Sequence, residues 1–341
     1  MSTGPVVLVT GGCGYIGSHV VRDLMKSGYT PVIVDNLSTG RKESVPDKVA
    51  FYQGDCGDKD LIRRIHNETK FESVLHFAAS IIVSESVEAP LKYYQNNVSN
   101  TLNLIEELCS LGVSSFVLSS SAAVYGEQSE TLISEKASTS PIHPYGRSKL
   151  MDEWILQDAA KAYPMKFLIL RYFNVAGADP QFRTGQCSPV ATHLIKIGAE
   201  AAVGKRSSVS VFGNDYNTPD GTCVRDYVHV SDLSSAHVAG LKYIHSGGES
   251  CILNCGYSRG YSVREVIDVV LQHAKKPFDV VSGPRRGGDV GSLIANAQKI
   301  GQVLGWKPEH NSLDKIVSSS VQWEQRLKDS EGKWPGSETD H

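Results

Sequence analysis

Val6-Val7-Leu8-Val9-Thr10-Gly11-Gly12-Cys13-Gly14-Tyr15-Ile16-Gly17 is the stretch on which the reading of the rest of the chain depends. Its first half is a run of β-branched and apolar residues, the pattern of a strand buried on both faces. The run then breaks into glycines spaced Gly11-x-x-Gly14-x-x-Gly17. Ile16, Val20 and Leu24 follow at four-residue intervals, which predicts the buried face of a helix. Strand, glycine turn and helix N-terminus together make an anion site. The glycines let backbone approach a pyrophosphate, and the free N–H groups and positive helix end face it. A glycine triplet alone is weak evidence. Between a buried strand and an amphipathic helix it predicts dinucleotide binding.

The chain has 341 residues, enough for one large or two modest domains, and at 40% hydrophobic residues it can bury a sizeable core. No apolar run reaches the length of a membrane span, and the N-terminus lacks a basic-then-apolar signal segment. The formal charge of -3 argues against a nucleic-acid surface. Seven cysteines (Cys13, Cys56, Cys109, Cys187, Cys223, Cys251, Cys255) are scattered, with no C-x-x-C pair or zinc spacing. They read as small buried hydrophobes in a reduced compartment, and no metal site is expected. A soluble cytoplasmic protein without membrane or nucleic-acid partners is the expectation.

Pro31-Val32-Ile33-Val34 predicts a second strand, ending in Asp35-Asn36. Asp35 lies close to the interval at which an acid meets an adenosine ribose. A carboxylate there accepts from ribose hydroxyls and repels a 2′-phosphate, which favours NAD over NADP. Arg41 and Lys42 read as a solvated loop. A third strand, Ala50–Gln53, ends in Gly54-Asp55-Cys56. Asp55 can meet an adenine amino group or cap the helix that follows; the two readings are equal. The fourth strand, Ser73–Phe77, ends in Ala78-Ala79, small enough to admit a ligand against the backbone. His76 reads as a satisfied strand histidine. Tyr93–Cys109 reads as a helix with a stripe of Val98, Leu102, Ile105 and Cys109, widened by Leu104 and Leu108. The fifth strand, Ser115–Leu118, ends in Ser119-Ser120-Ser121, and a sixth is Phe167–Leu170. Strands alternating with helices describe a Rossmann-type, doubly wound parallel α/β sheet. Asp35, Asp55, Ala79 and Ser121 fall at carboxyl ends of strands, where such sheets bind ligands.

After Arg171-Tyr172-Phe173-Asn174 the texture changes to short apolar runs among Gly, Pro, Asp and Thr. A boundary near Asn174 divides the chain into 1–174 and a smaller C-terminal α/β substrate domain, 175–341. Strands are expected near Val211, Ile252 and Val280, and some later segments are allowed to pack back on the first domain. The polar last dozen residues are expected to fray.

Pro144-Tyr145-Gly146-Arg147-Ser148-Lys149 opens a helix, with Tyr145 and Lys149 four apart on one face. A tyrosine acting as a base near neutrality must drop by ~3 pKa units from ~10, or ~4 kcal/mol. An ammonium ~6 Å away contributes ~3 kcal/mol at an effective dielectric of ~20. An oxidised nicotinamide and the helix N-terminus would supply the rest. With Ser121 hydrogen-bonding the same oxygen, the three residues suit reversible oxidation of a secondary alcohol.

These residues resemble the extended short-chain dehydrogenase/reductase family. Longer stretches are similar to its UDP-glucose 4-epimerases (UDP-galactose 4-epimerases): Thr10–His19, Ser119–Gly126, Arg171–Asn174 and Asp220–Val230, with the last two the more specific. The resemblance spans about residues 6 to 327. It implies that Tyr145 is the base, that Lys149 tunes it and holds the nicotinamide ribose, and that Ser121 binds the reacting oxygen. Gly11, Gly14, Tyr15, Ile16 and Gly17 would hold the NAD pyrophosphate, Asp35 and Asn36 the adenosine ribose, and Asp55 and Cys56 would flank adenine. Phe77, Ala78, Ala79, Asn96, Ser119 and Phe173 would line the cofactor. Asn174, Leu194, Phe212, Arg225, Arg286 and Asp289 would grip the nucleotide sugar. For Phe212, core packing is an equal reading, whereas guanidinium forks suit phosphate oxygens. The implied reaction interconverts UDP-galactose and UDP-glucose in galactose metabolism, through a 4-keto sugar that turns over above bound NAD, in a homodimer. The halves 1–174 and 175–341 would then bind NAD and UDP-sugar.

The chain departs from familiar members at Ile81, where some carry lysine, at Ala123, where some carry threonine, and at Leu293, where side-chain size limits N-acetylated sugars. The rivals are a 4-epimerase of UDP-pentoses or UDP-N-acetylhexosamines, an NAD-sensing regulator without turnover, and a nucleotide-sugar 4,6-dehydratase. The last places an Asp-Glu pair where this chain has Ala122-Ala123, which have no proton to give.

Overall fold

The computed structural model describes residues 4–188, 190, 192–331 and 333–335. Positions 336–341 of the polar tail lie outside the described residues. The first half of the chain contributes β1 (Val6–Thr10), β2 (Thr30–Asp35), β3 (Ala50–Gln53), β4 (Ser73–His76), β5 (Ser115–Ser121) and β6 (Lys166–Tyr172). The second adds β7 (Asn174–Ala176), β8 (Ser208–Phe212), β9 (Val224–His229), β10 (Cys251–Cys255), β11 (Gly260–Ser262), β12 (Asp279–Gly283) and β13 (Ser292–Leu293).

The main sheet is parallel throughout, in the order β10-β6-β5-β4-β1-β2-β3. The chain runs outward from β1 to β3 and then crosses back to β4 on the other side of β1. The crevice at the carboxyl ends of β1 and β4 is therefore the topological switch point. The alternation of side chains explains the apolar runs. Val7 and Val9 enter a core with Val20, Leu24 and Val117, whereas Leu8 enters the opposite core with Ile62, Leu104 and Phe116. Both faces are covered, so β1 carries no polar alternation.

Later segments pack back on the main sheet, and two expectations need correction. The strand at Ile252 is β10, and it pairs with β6 at the edge of the main sheet. Helix Val230–His245 likewise packs on helix Tyr15–Lys26, β5 and β6. The second half thus returns to complete the first. The helix expected over Tyr93–Cys109 is two α-helical pieces, Pro90–Tyr93 and Asn100–Ser110, joined by a π-helical segment at Tyr94–Ser99. The extra residue per turn rotates the faces past one another. Leu102 is consequently 47% exposed, and Thr101, Leu104, Ile105 and Leu108 form the buried face. Finally, Lys42 is not simply solvated, since its ammonium lies 4.9 Å over the Phe51 ring.

The smaller lobe holds β7, β9, β11 and β13 in one sheet and the expected strands around Val211 and Val280 as the β8–β12 pair. Ile195, Ala199, Val266, Val270, Ile316 and Val317 form its core. No helix among the described residues is long and apolar enough to cross a membrane.

Candidate active site

The glycine turn is built by contact. Gly11 has φ +68°, and a Cβ there would lie 2.7 Å from the Ala78 nitrogen. A Cβ on Gly17 would lie 2.3 Å from the Gly11 carbonyl oxygen. The first glycine thus lets the turn meet the end of β4, and the third lets helix Tyr15–Lys26 press onto the turn. Gly14 is the N-cap of that helix, and no side chain caps it. Its first-turn N–H groups remain available to an anion at the switch point. The Tyr15 hydroxyl donates to the Gly177 carbonyl at 2.7 Å, and Ile16 packs on the core. What these two residues offer the crevice is backbone.

Asp35, at the end of β2, first serves the turn itself. Its Oδ2 accepts from the Cys13 N–H at 2.9 Å and its Oδ1 from the Leu37 N–H at 2.8 Å. Burial pushes its carboxyl up, and these two N–H bonds oppose that. Asn36 is exposed beside it and accepts from the Ser38 N–H. Asp55 accepts from the Gly57 N–H, while Asp58 caps helix Lys59–Thr69. The helix-cap reading of Asp55 is therefore corrected. Cys56 is buried, and burial pushes its thiol up to about 12. None of the seven cysteines is in a disulfide. Phe77, Ala78 and Ala79 follow β4, half-buried. Asn96 lies on the π-helical segment and donates to Asn97. Asn97 in turn ties the Ser80 backbone to the Ser148 hydroxyl, linking the end of β4 to the helix that carries Tyr145. His76 bonds Thr10 and Thr101, one through each ring nitrogen, and is a satisfied strand residue.

Ser121 is the last residue of β5, and Tyr145 is the second residue of helix Pro144–Ala162. His143 caps that helix by accepting from the Gly146 N–H. Tyr145 and Lys149 are buried one turn apart, 8% and 2% exposed. Burial raises the Tyr145 phenol, a hydrogen bond with Ser121 opposes this, and the Asp152 charge adds to it. The lowering expected from Lys149 is thus not expressed in the protein alone. Burial is the largest cause, and the Lys149 ammonium is itself held by Asp152 Oδ2 at 3.2 Å. Ser119 donates to the Tyr172 hydroxyl at 3.2 Å, and Phe173 is buried against Tyr125 and Leu150.

The substrate-side residues fall into related groups. The Arg286 guanidinium lies 4.7 Å over the Phe212 ring, and its Nε donates to Asp289 at 2.9 Å. Phe212 is 36% exposed, so it is a platform rather than core. Asp289 acts electrostatically on the ring of His143, which ties this loop to the start of the Tyr145 helix. Arg225 and Leu293 are register partners on β9 and β13. Asn174 on β7 pairs with Tyr227 on β9, in the same sheet. Leu194 opens helix Leu194–Ala202 and packs toward Val209 and Val211 of β8.

Two features escaped the sequence reading. Arg285, next to Arg286, stacks 4.1 Å over Tyr216 and donates to Asp215 at 2.7 Å, which holds the loop that presents Arg286. Glu153 receives Arg171 and Ser120. The adjacent arginines and the Arg171 motif were the available signals, but their partners lie far off in sequence.

The residues present fit a dinucleotide: glycines that a Cβ would block, an uncapped helix N-terminus, an acid at the end of β2, and a buried ammonium. Comparison with known proteins agrees. Residues 8–319 match the family model described as GDP-mannose 4,6 dehydratase. A UDP-glucose 4-epimerase of Azospirillum brasilense is 49% identical over 329 residues, 96% of this chain and 94% of that one. The structure of a UDP-glucose 4-epimerase from Brucella ovis in complex with NAD superposes with a TM-score of 0.90 at 39% identity, covering 94% of this chain and 98% of that one. That from Bifidobacterium longum, in complex with NAD+ and UDP, gives 0.89 at 38% identity, covering 96% and 100%. Within the matched family, Ala122 and Ala123 leave no acid beside Ser121 for water elimination. The chain belongs to the extended short-chain dehydrogenase/reductase family and, within it, to the NAD-dependent UDP-glucose 4-epimerases.

Proposed function

We propose that this chain interconverts UDP-galactose and UDP-glucose by transient oxidation at carbon 4 of the sugar. The observation that carries the reading is the meeting of Ser121 and Tyr145 at the end of β5, with Lys149 one turn further along the same helix face. NAD held at the glycine turn would supply the hydride chemistry at carbon 4. Tyr145 takes the hydroxyl proton and gives it back. Ser121 holds the same oxygen through both half-reactions. Lys149, with ammonium hydrogens beyond the one on Asp152, holds the nicotinamide ribose. Asp35 and Asn36 hold the adenosine ribose, and Asp55 and Cys56 flank adenine. Arg225 and Arg286 anchor the pyrophosphate while Phe212 supports the uracil, so the sugar can turn about a fixed end. Asn174, Leu194, Asp289 and Leu293 shape the sugar end of that site. On this reading residues 1–174 bind NAD and 175–341 the UDP-sugar.

The protein is proposed to act as a cytoplasmic homodimer in galactose metabolism. Leu91, Leu102 and Trp154 support pairing: they are 79%, 47% and 53% exposed on the Pro90–Tyr93, Asn100–Ser110 and Pro144–Ala162 helices. Such apolar exposure marks contact surfaces. The free cysteines fit a reducing compartment. Incubation of the purified protein with UDP-galactose, without added cofactor, tests the activity. UDP-glucose is the expected product; conversion that needs added NAD, or none, contradicts resident NAD or the reaction.

A further inference from the structure

Helix Pro144–Ala162 carries a third buried polar group on the face of Tyr145 and Lys149. Asp152 follows Lys149 by three positions and is 0% exposed. Its Oδ2 receives the Lys149 ammonium at 3.2 Å. Its Oδ1 is buried and has no hydrogen-bond partner. A buried ion pair is a poor source of stability, because apolar residues of similar size usually serve better. A half-satisfied one is poorer still. Stability therefore does not account for Asp152.

The charges around it narrow its role. On the same helix, Glu153 is committed to Arg171 and Ser120. From the loop after β3, the Cys56 thiol is kept protonated by burial. From β4, His76 is kept neutral by burial and by the charge of Lys149. The charge that faces Lys149 directly is that of Asp152, and the same charge raises the phenol of Tyr145.

We propose that Asp152 is a positioning residue for the reaction: its carboxylate holds the Lys149 ammonium and offsets the charge that Lys149 presents to Tyr145, setting the pH at which the phenol ionises. The proposal rests on the reading of Tyr145 as the base. Burial pushes the Asp152 carboxyl up to about 7, Lys149 opposes this and Glu153 adds to it, so the offset varies across the neutral range.

The test is an ultraviolet titration of tyrosinate in the NAD-bound protein, taken as the difference from the matching Tyr145→Phe protein, beside the pH profile of kcat. Asp152→Asn is expected to lower the Tyr145 midpoint by about 1.5 pH units, the size of a unit charge ~8 Å away at an effective dielectric of ~20. The acid limb of kcat moves with it. Asp152→Glu keeps the charge and is expected to keep the midpoint. Should the asparagine variant not fold, Asp152→Leu carries the same expectation. An unmoved midpoint, with kcat reduced equally at every pH, overturns the proposal. Full turnover in Tyr145→Phe overturns the base reading and this proposal with it. An unmoved midpoint beside an inactive Tyr145→Phe overturns this proposal alone.

Discussion

Arg171 on β6 and Glu153 on the Tyr145 helix form a two-pronged ion pair sealed from solvent, Nε to Oε1 at 3.0 Å and Nη2 to Oε2 at 2.6 Å. The side chains are 5% and 0% exposed, and the Ser120 hydroxyl closes the group at 2.5 Å. The pair sets the height of the helix against β5 and β6, and so the approach of Tyr145 to Ser121. Arg171→Ala leaves a buried carboxylate unpaired and should cost about 3–5 kcal/mol in urea unfolding. Arg171→Met combined with Glu153→Leu should recover much of that loss, yet turnover should stay low because the helix is no longer registered.

Gly17 is where helix and turn touch. A Cβ there has no room, so Gly17→Ala must push the helix off Gly11. The expected result is protein that purifies with little NAD, read from its ultraviolet absorbance ratio. Retention of a full complement would show that the turn tolerates the shift.

Arg286 and Arg285 are adjacent but differently engaged. Arg286 stacks on Phe212, and Arg285 stacks on Tyr216 and pairs with Asp215. Arg286→Ala should raise the KM for UDP-galactose about tenfold or more with a smaller change in kcat, as expected when binding shared by ground and transition states is removed. An unchanged KM would reject its phosphate role.

Four of the buried histidines predict acid sensitivity. Burial lowers His76 and His229 to about 3 and His19 and His237 to about 4. Each ring takes up a proton near ~6.5 once the chain unfolds. The unfolded chain therefore binds more protons in this window, and stability falls as pH drops from 6.5 toward 4. Asp152 and Asp226, pushed up to about 7 by burial, act in the opposite sense, since they keep protons that the unfolded chain releases. The histidines outnumber them, so stability measured in urea should fall by about 1–3 kcal/mol per pH unit below 6.5. A flat profile between pH 7 and 5 would mean that these rings are charged in the fold.

Much of the fold was legible because the sheet is buried on both faces. Runs such as Val6–Val9 and Phe167–Leu170 carry no polar alternation to confuse a strand with anything else. The π-helical turn at Tyr94–Ser99 was not legible, because one extra residue shifts a helical face without changing composition. The membership of Cys251–Cys255 in the main sheet depends on a partner, β6, about 80 residues earlier. In the site, Ser121, Tyr145 and Lys149 stood out by type and spacing. Asp152 did not, because an acid three residues after a lysine usually marks a solvated helix face. Only its burial makes it part of the chemistry.

The central claim is that Tyr145 moves the proton of the sugar hydroxyl, and Tyr145→Phe tests it most directly. The side chain is buried and its ring is retained, so the variant should fold and keep NAD. Turnover of UDP-galactose to UDP-glucose, measured on protein shown to carry NAD, should fall by a factor of about 10²–10⁴, the usual contribution of a general base. Turnover equal to that of the unaltered protein would contradict the account.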